Sequence, residues 1–189
     1  MARRVLAGSI LFLLCLTSLL LARTLVTIES EKARLTLALL SRLVRLEKNY
    51  REHLPVKILV LTPRSKTAFQ DQNIVNEAVR DFFRKNREFE ALFVQNTEET
   101  LKLLSERNFD ILYIAGPVPK LKAILKSATA KKILTISHLP EFLELGLAMS
   151  LDLNRRKASI VVNQKVWQKL NLNFPPEVTE KFCFIAPER

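Results

Sequence analysis

The segment "ILTISHLPEFLELGLAMS", residues 133–150, decides the fold. It begins as a β-rich run, Ile133 to Ile136, and ends in a second apolar run beyond Gly146. Between them stand Ser137, His138, Pro140 and a short helical piece that carries Phe142 and Leu145 as packing residues. A histidine just past a strand end is where an α/β enzyme holds a general base. The same place is where a sheet can change its winding. The flanking sequence separates the two readings.

Upstream the pattern alternates. "VKILVLT" (56–62) is a nearly continuous apolar run, as in a strand covered on both faces. "DQNIVNEAVRDFFRKN" (71–86) places Ile74, Val75, Ala78, Val79, Phe82 and Phe83 on one side and predicts a helix. "FEALFV" (89–94) predicts a strand, and Asn96 with Glu99 forms a capping-box pattern ahead of the helix "TEETLKLLSERN" (97–108). "DILYIA" (110–115) is a third strand, Gly116-Pro117 a breaker, "PKLKAILKSA" (119–128) a helix, and Ile133–Ile136 a fourth strand. Such alternation implies βαβ units. A long helix, 27–50, precedes them, with Leu39, Leu40, Leu43, Val44, Leu46 and Tyr50 in register and Thr27 or Ser30 as its cap.

Downstream the pattern changes. "LAMSLDL" (147–153) and "ASIVVN" (158–163) are joined by Asn154-Arg155-Arg156-Lys157. Four residues cannot make a parallel crossover, so the pair is an antiparallel hairpin. "QKVWQKL" (164–170) is a short helix capped by Asn163, with Asn171 as a left-handed C-cap. Pro175 or Pro176 starts a further helix in the closing stretch. The expected fold is α/β: a mixed, mostly parallel sheet with helices on both faces, plus a C-terminal antiparallel β-hairpin and short helices.

The 189-residue chain carries a formal net charge of +11. Residues 1–22, "MARRVLAGSILFLLCLTSLLLA", pair Arg3 and Arg4 with an uncharged run from Val5 to Ala22. That is an export signal in outline, or an N-terminal membrane anchor. Either places residues 23–189 outside the cytoplasm as one exported α/β domain, tethered by residues 5–22 in the second case. Leu14 ahead of Cys15 argues against a lipoprotein site. Outside the cytoplasm the basic balance suits anionic headgroups or an acidic protein patch, or simply a solvated surface, rather than nucleic acid. Cys183, alone beyond residue 22, can form no internal disulfide, and between two phenylalanines it is expected to be a buried, inert thiol.

Chemistry-bearing patterns are sparse. The two glycines beyond residue 22, Gly116 and Gly146, form no phosphate-cradling loop. The strand ends Thr62-Pro63-Arg64 and Ala115-Gly116-Pro117 lack the acidic residues of a phosphoacceptor site. His53 and His138, with Glu141 or Asp152, show no metal-ligand spacing. Ser137 is adjacent to His138, but no GxSxG elbow accompanies it. His138 is therefore read as a loop residue contacting the next helix or solvent. No catalytic, cofactor-binding or metal residue is expected, and partner-binding residues are not defined. Trp167, half-buried on its short helix, is the best single candidate for a contact residue. The alternatives from other classes are a small-solute-binding module, lined by the loops after Leu61, Ile114 and Ile136, and a small hydrolase using His138.

The order "KARLTLALLSRLVRL", "VKILVL", "FDILYIAG", "KKILTISHLPEFLELGLAMSLDL", "KASIVVN" and "VWQKLNLNFPPEVTEKFCFI" resembles the periplasmic repressor family of bacterial tripartite signalling systems. The resemblance covers residues 29–186 and is best marked over 110–172. It implies a non-enzymatic periplasmic regulator without cofactor, which binds and represses an inner-membrane signalling protein: a diguanylate cyclase, or a sensor kinase. An outer-membrane lipoprotein is implied as the partner that relieves repression, and a homodimer is left open. Lower cyclic-di-GMP and less biofilm would follow. Where such proteins carry two adjacent glycines before the hairpin, this chain has Gly146-Leu147.

Overall fold

The computed structural model describes residues 28–63, 70–154 and 157–186. Its centre is a seven-stranded sheet: β1 (Val56–Leu61), β2 (Phe89–Val94), β3 (Ile111–Ile114), β4 (Leu134–Ser137), β5 (Met149–Asn154), β6 (Lys157–Asn163) and β7 (Phe182–Ile185). The spatial order is β2-β1-β3-β4-β5-β6-β7. Strands β1 to β5 run parallel, β6 returns antiparallel to β5, and β7 lies parallel to β6. Both windings expected from the sequence are present: the connection across residues 138–148 still joins parallel strands, and the direction reverses between β5 and β6.

Strand residues alternate between two apolar clusters because successive side chains point to opposite faces. Ile58, Val60, Ile111, Tyr113, Leu134 and Ile136 meet helix α1 (28–46) and helix α3 (Gln70–Lys85). Leu59, Leu61, Leu112 and Ile114 meet α4 (Thr97–Glu106), α5 (Leu121–Ala130) and the 3-10 helix Pro140–Leu145. Helices therefore cover both faces. Each fully buried Leu or Ile contributes about 1.5–3 kcal/mol, so these two layers dominate the stability of the sheet.

The first helix is not continuous. It ends at residue 46, Glu47 takes an extended backbone (φ −77, ψ 123), and a separate helix α2 (Lys48–Glu52) follows. Ser30 lies inside α1, buried, rather than capping it, and Thr27 falls outside the described residues. Leu46 and Ile74, assigned by spacing to core stripes, are exposed. Both stand at the flank of an apolar arc, where periodicity alone cannot tell contact from margin.

The segment 137–149 works as a clasp. Strands β4 and β5 pair over two residues only, Ile136 with Met149 and Ser137 with Ser150. Small polar side chains supply the missing bonds. Thr135 Oγ1 accepts from Ala148 N at 2.8 Å, Ser137 Oγ donates to Ile114 O at 2.8 Å, and Ser150 Oγ donates to Ser137 O at 2.8 Å. Asn163 Nδ2 donates to Leu143 O at 3.0 Å while its Oδ1 caps α6 (Gln164–Trp167) through Val166 N. The 3-10 helix closes at Gly146, whose φ of 104 lies in the region that favours glycine. Gly146 N bonds to Leu143 O and Leu147 N to Phe142 O, the double bond pattern of a Schellman cap. That cap turns Leu147 inward against Phe142, so Phe142 and Leu143 are buried while Leu145, expected beneath, is 41% exposed.

The chain end departs furthest from expectation. Asn171 does not take the left-handed conformation, which among the described non-glycine residues belongs to Lys120 and Lys132. Helix α7 (Pro176–Thr179) starts at the proline pair as expected, but β7 follows it as an edge strand. Phe182 and Phe184 then share one side of β7 and Cys183 turns to the other, where it is exposed rather than buried. Iodoacetamide is expected to alkylate Cys183 in the folded protein without denaturant, in a Cys15→Ser background. Cys183→Ser should cost less than about 0.5 kcal/mol. Intact-mass measurement and thermal melts check the pair.

Candidate functional site

Three places in the fold gather the residues singled out above. The first is the carboxyl end of the sheet. Strand β1 has β2 on one side and β3 on the other, so the connections leaving β1 and β3 diverge and open a crevice. A cavity of about 580 Å3 occupies it, lined by Pro63, Gln95–Glu98 and Pro117–Lys120. Two of the three loops expected to form a solute site, those after Leu61 and Ile114, contribute. The loop after Ile136 does not, and the β2–α4 connection takes its place. The walls are largely proline and Val118, Thr97 Oγ1 is committed to Pro119 O at 2.8 Å, and the ionisable lining residues are Glu98 and Lys120.

Gly116 stands beside this crevice because Gln72 needs its space. A Cβ at Gly116 would lie 2.5 Å from Gln72 Oε1. Gln72 Nε2 donates to Ala115 O at 2.9 Å and to Asn76 Oδ1 at 3.0 Å, tying α3 to the end of β3. Gly116→Ala is therefore expected to displace the flexible tip of Gln72, costing about 1–2 kcal/mol. Once Gln72 is alanine the same change should cost little, so chemical denaturation of the double-mutant cycle should be strongly non-additive.

The second place is His138. Its ring is buried, 2% exposed, with Nδ1 3.1 Å from the Tyr113 hydroxyl and Nε2 3.9 Å from Glu29 Oε2 on α1. Burial pushes its pKa down to about 4, with Glu29 opposing that drop and Lys32 adding to it. Burial likewise drives the Tyr113 hydroxyl far above its usual range. A base must reach a substrate proton, and here both ring nitrogens face groups of this chain behind α1. Ser137 is buried and its hydroxyl is spent on Ile114 O. The pair is a structural part of the clasp: His138 is a loop residue as expected, but it is buried against α1 and β3 rather than facing the next helix or solvent. Nothing in the spacing of His138, Tyr113 and Glu29 signals this. The three meet only through the sheet.

The third place is the aromatic end of the sheet. Trp167 is half-buried as expected, stacked on Phe174 at 5.7 Å and edge-on to Phe182 at 5.5 Å and Phe184 at 6.0 Å. Phe184 is 41% exposed and extends this patch to the surface. It was missed because β7 itself was missed. His53 is exposed beyond α2, distant in role from His138, and no group of three or more His, Cys, Asp or Glu among the described residues could hold a metal ion. Among the same residues no helix is long and apolar enough to cross a membrane.

Similar folds are found among solved structures. The chain is similar to CD0873 from Clostridium difficile, described as a substrate binding protein with adhesive properties, with a TM-score of 0.55 and 16% identity over 81% of this chain and 59% of that one. It is similar to an ABC domain from Streptococcus pneumonia solved with L-Trp, with a TM-score of 0.55 and 14% identity over 82% and 62%. A conserved domain protein from Vibrio cholerae O1 biovar El Tor aligns with a TM-score of 0.55 and 11% identity over 80% and 59%. The chain spans about three fifths of each of these proteins, and at such identities the likeness is one of fold. No curated protein matches the chain significantly. The class defined here is an α/β fold on a mixed seven-stranded sheet, with its most base-like residue sealed in the core. The chain belongs to the YfiR/HmsC-like family, whose model matches residues 32–180 and which comprises the periplasmic repressors of tripartite cyclic-di-GMP systems.

Proposed function

We propose that this protein is a periplasmic regulator that binds and represses the periplasmic part of an inner-membrane diguanylate cyclase. The observation that carries the reading is the family match over residues 32–180, which spans β1 to β6, the clasp, and Trp167 and Phe174 of the aromatic end. Residues 1–22 serve as the export signal or anchor, and residues 23–189 act in the periplasm. An outer-membrane lipoprotein relieves the repression by competing for the regulator. Control of cyclic-di-GMP, and with it of biofilm, is the physiological output. The burial of His138 supports a role in binding rather than catalysis. A small-solute-binding module is the weaker reading, because the likeness to a substrate-binding protein and to a domain solved with L-Trp rests on fold at 14–16% identity.

Crosslinking of the tagged chain in intact cells, followed by purification from the membrane fraction, tests this proposal. Recovery of an inner-membrane protein with a cyclase domain is the expected result. Recovery of no inner-membrane signalling protein overturns it.

A further inference from the structure

We propose that the groove between α3 and the outer edge of β2 binds an extended, acidic segment of the partner protein. The inference rests on the reading of this chain as a protein-binding regulator and names a surface for it. Strand β2 ends the sheet: β1 pairs with one side of it, and no described strand lies on the other. Such an edge offers backbone donors and acceptors to an added strand.

Two hollows run along this edge. One, of about 350 Å3, is bounded by Arg80, Phe93 and the first turn of α4. The other, of about 370 Å3, is bounded by Arg80, Phe83, Arg84 and Ala91. They meet at Arg80 and Phe93, the guanidinium carbon lying 5.9 Å above the Phe93 ring centre. Ala91 and Phe93 point to this side because alternate residues of a strand share a face.

The chemistry of the groove selects an anion. Arg80 Nε is buried and has no hydrogen-bond partner among the described residues. A desolvated cationic donor without an acceptor is costly, and a carboxylate placed in its fork removes that cost. Two acids near it have other partners: Asp81 meets Arg84 at 3.5 Å, and Glu99, which lines the first hollow, meets Asn96 at 3.2 Å. Phe93 stacked beneath the guanidinium holds it in place. A narrow trough between a helix and a strand fits a single extended chain, and an acidic side chain at alternate positions reaches Arg80 from it. The net charge of +11 favours the approach of such a segment.

The test uses the purified full chain and a fluorescein-labelled hexapeptide that alternates valine and glutamate, read by fluorescence anisotropy. The expected result is salt-sensitive binding that fails when lysine replaces glutamate and when alternate peptide nitrogens are methylated. Arg80→Met, which keeps the stem over Phe93, should weaken binding roughly tenfold or more. Its melting temperature should match or exceed that of the parent, since an orphaned donor is removed, and this separates lost binding from lost folding. Arg80→Lys keeps the charge without the fork and should fall between the two. No binding of the acidic peptide, equal binding of the lysine peptide, or unchanged affinity in Arg80→Met each overturns the proposal. So does loss in Arg80→Met of self-association or of binding to phosphatidylglycerol vesicles without peptide binding. Failure here leaves the regulator reading intact, because that reading stands on recovery of the cyclase.

Discussion

Glu47→Ala is expected to destabilise this protein by about 4 kcal/mol, more than most single substitutions. Glu47 is fully buried at the break between α1 and α2. Its Oε2 accepts from Tyr50 N at 2.7 Å, capping α2. Its Oε1 accepts from Asn173 N at 2.6 Å and from Asn49 Nδ2 at 3.1 Å. Lys48 N reaches Asn173 O at 3.1 Å and Asn49 Nδ2 reaches Asn171 O at 3.2 Å beside them. One side chain thus fastens the first helices to the connector before α7. Alanine leaves two backbone donors without acceptors, at about 1–3 kcal/mol each, and opens a cavity besides. Glu47→Gln keeps the volume and one oxygen but sets an NH2 group against the other donor, so about half the loss is expected. Urea denaturation of the two variants checks this, and equal, small costs for both would refute it.

Acid should destabilise the fold through His138 by about 3 kcal/mol. The folded-state pKa of about 4 lies below the unfolded value of about 6.5. Between those values the unfolded chain binds the extra proton, so stability rises with pH there. Full stability is present above pH ~6.5, is lost progressively on acidification, and the His138 contribution is exhausted near pH ~4. The response is directed: Glu29 Oε2, 3.9 Å away, is itself buried without a hydrogen-bond partner among the described residues and limits the penalty. Glu29→Gln should therefore deepen the acid loss. His138→Gln keeps a polar group near Tyr113 and should flatten the curve over the same window. For Glu88, bonds from Ser41 and Arg45 outweigh the upward pull of burial and hold its carboxyl below the usual range, so its loss falls at lower pH. Urea midpoints measured at half-unit steps from pH 7.5 to 4 separate the two.

Much of the fold is legible in the sequence because it is written in apolar periodicity. Continuous runs such as Ile58–Leu61 mark strands covered on both faces, and each is. The antiparallel return of β6 onto β5 is legible because so short a connection cannot make a parallel crossover. What is not legible depends on long-range contact. Glu47 looks like any exposed helical glutamate, since its partner Asn173 lies 126 residues away. His138 looks solvent-facing because its wall is α1. Strand β7 is short and stands at an edge, so its alternation is only Phe182 and Phe184 against Cys183, which also reads as a buried cluster. Arg80 and Phe93 belong to different elements, and no spacing rule joins them.

The proposed repression of a cyclase is read most directly in intracellular cyclic-di-GMP. Deleting this gene should raise cyclic-di-GMP severalfold, re-expression of the full chain should restore the lower level, and inactivating the partner cyclase should abolish the rise. An unchanged level on deletion in a strain with an active cyclase would rule that repression out.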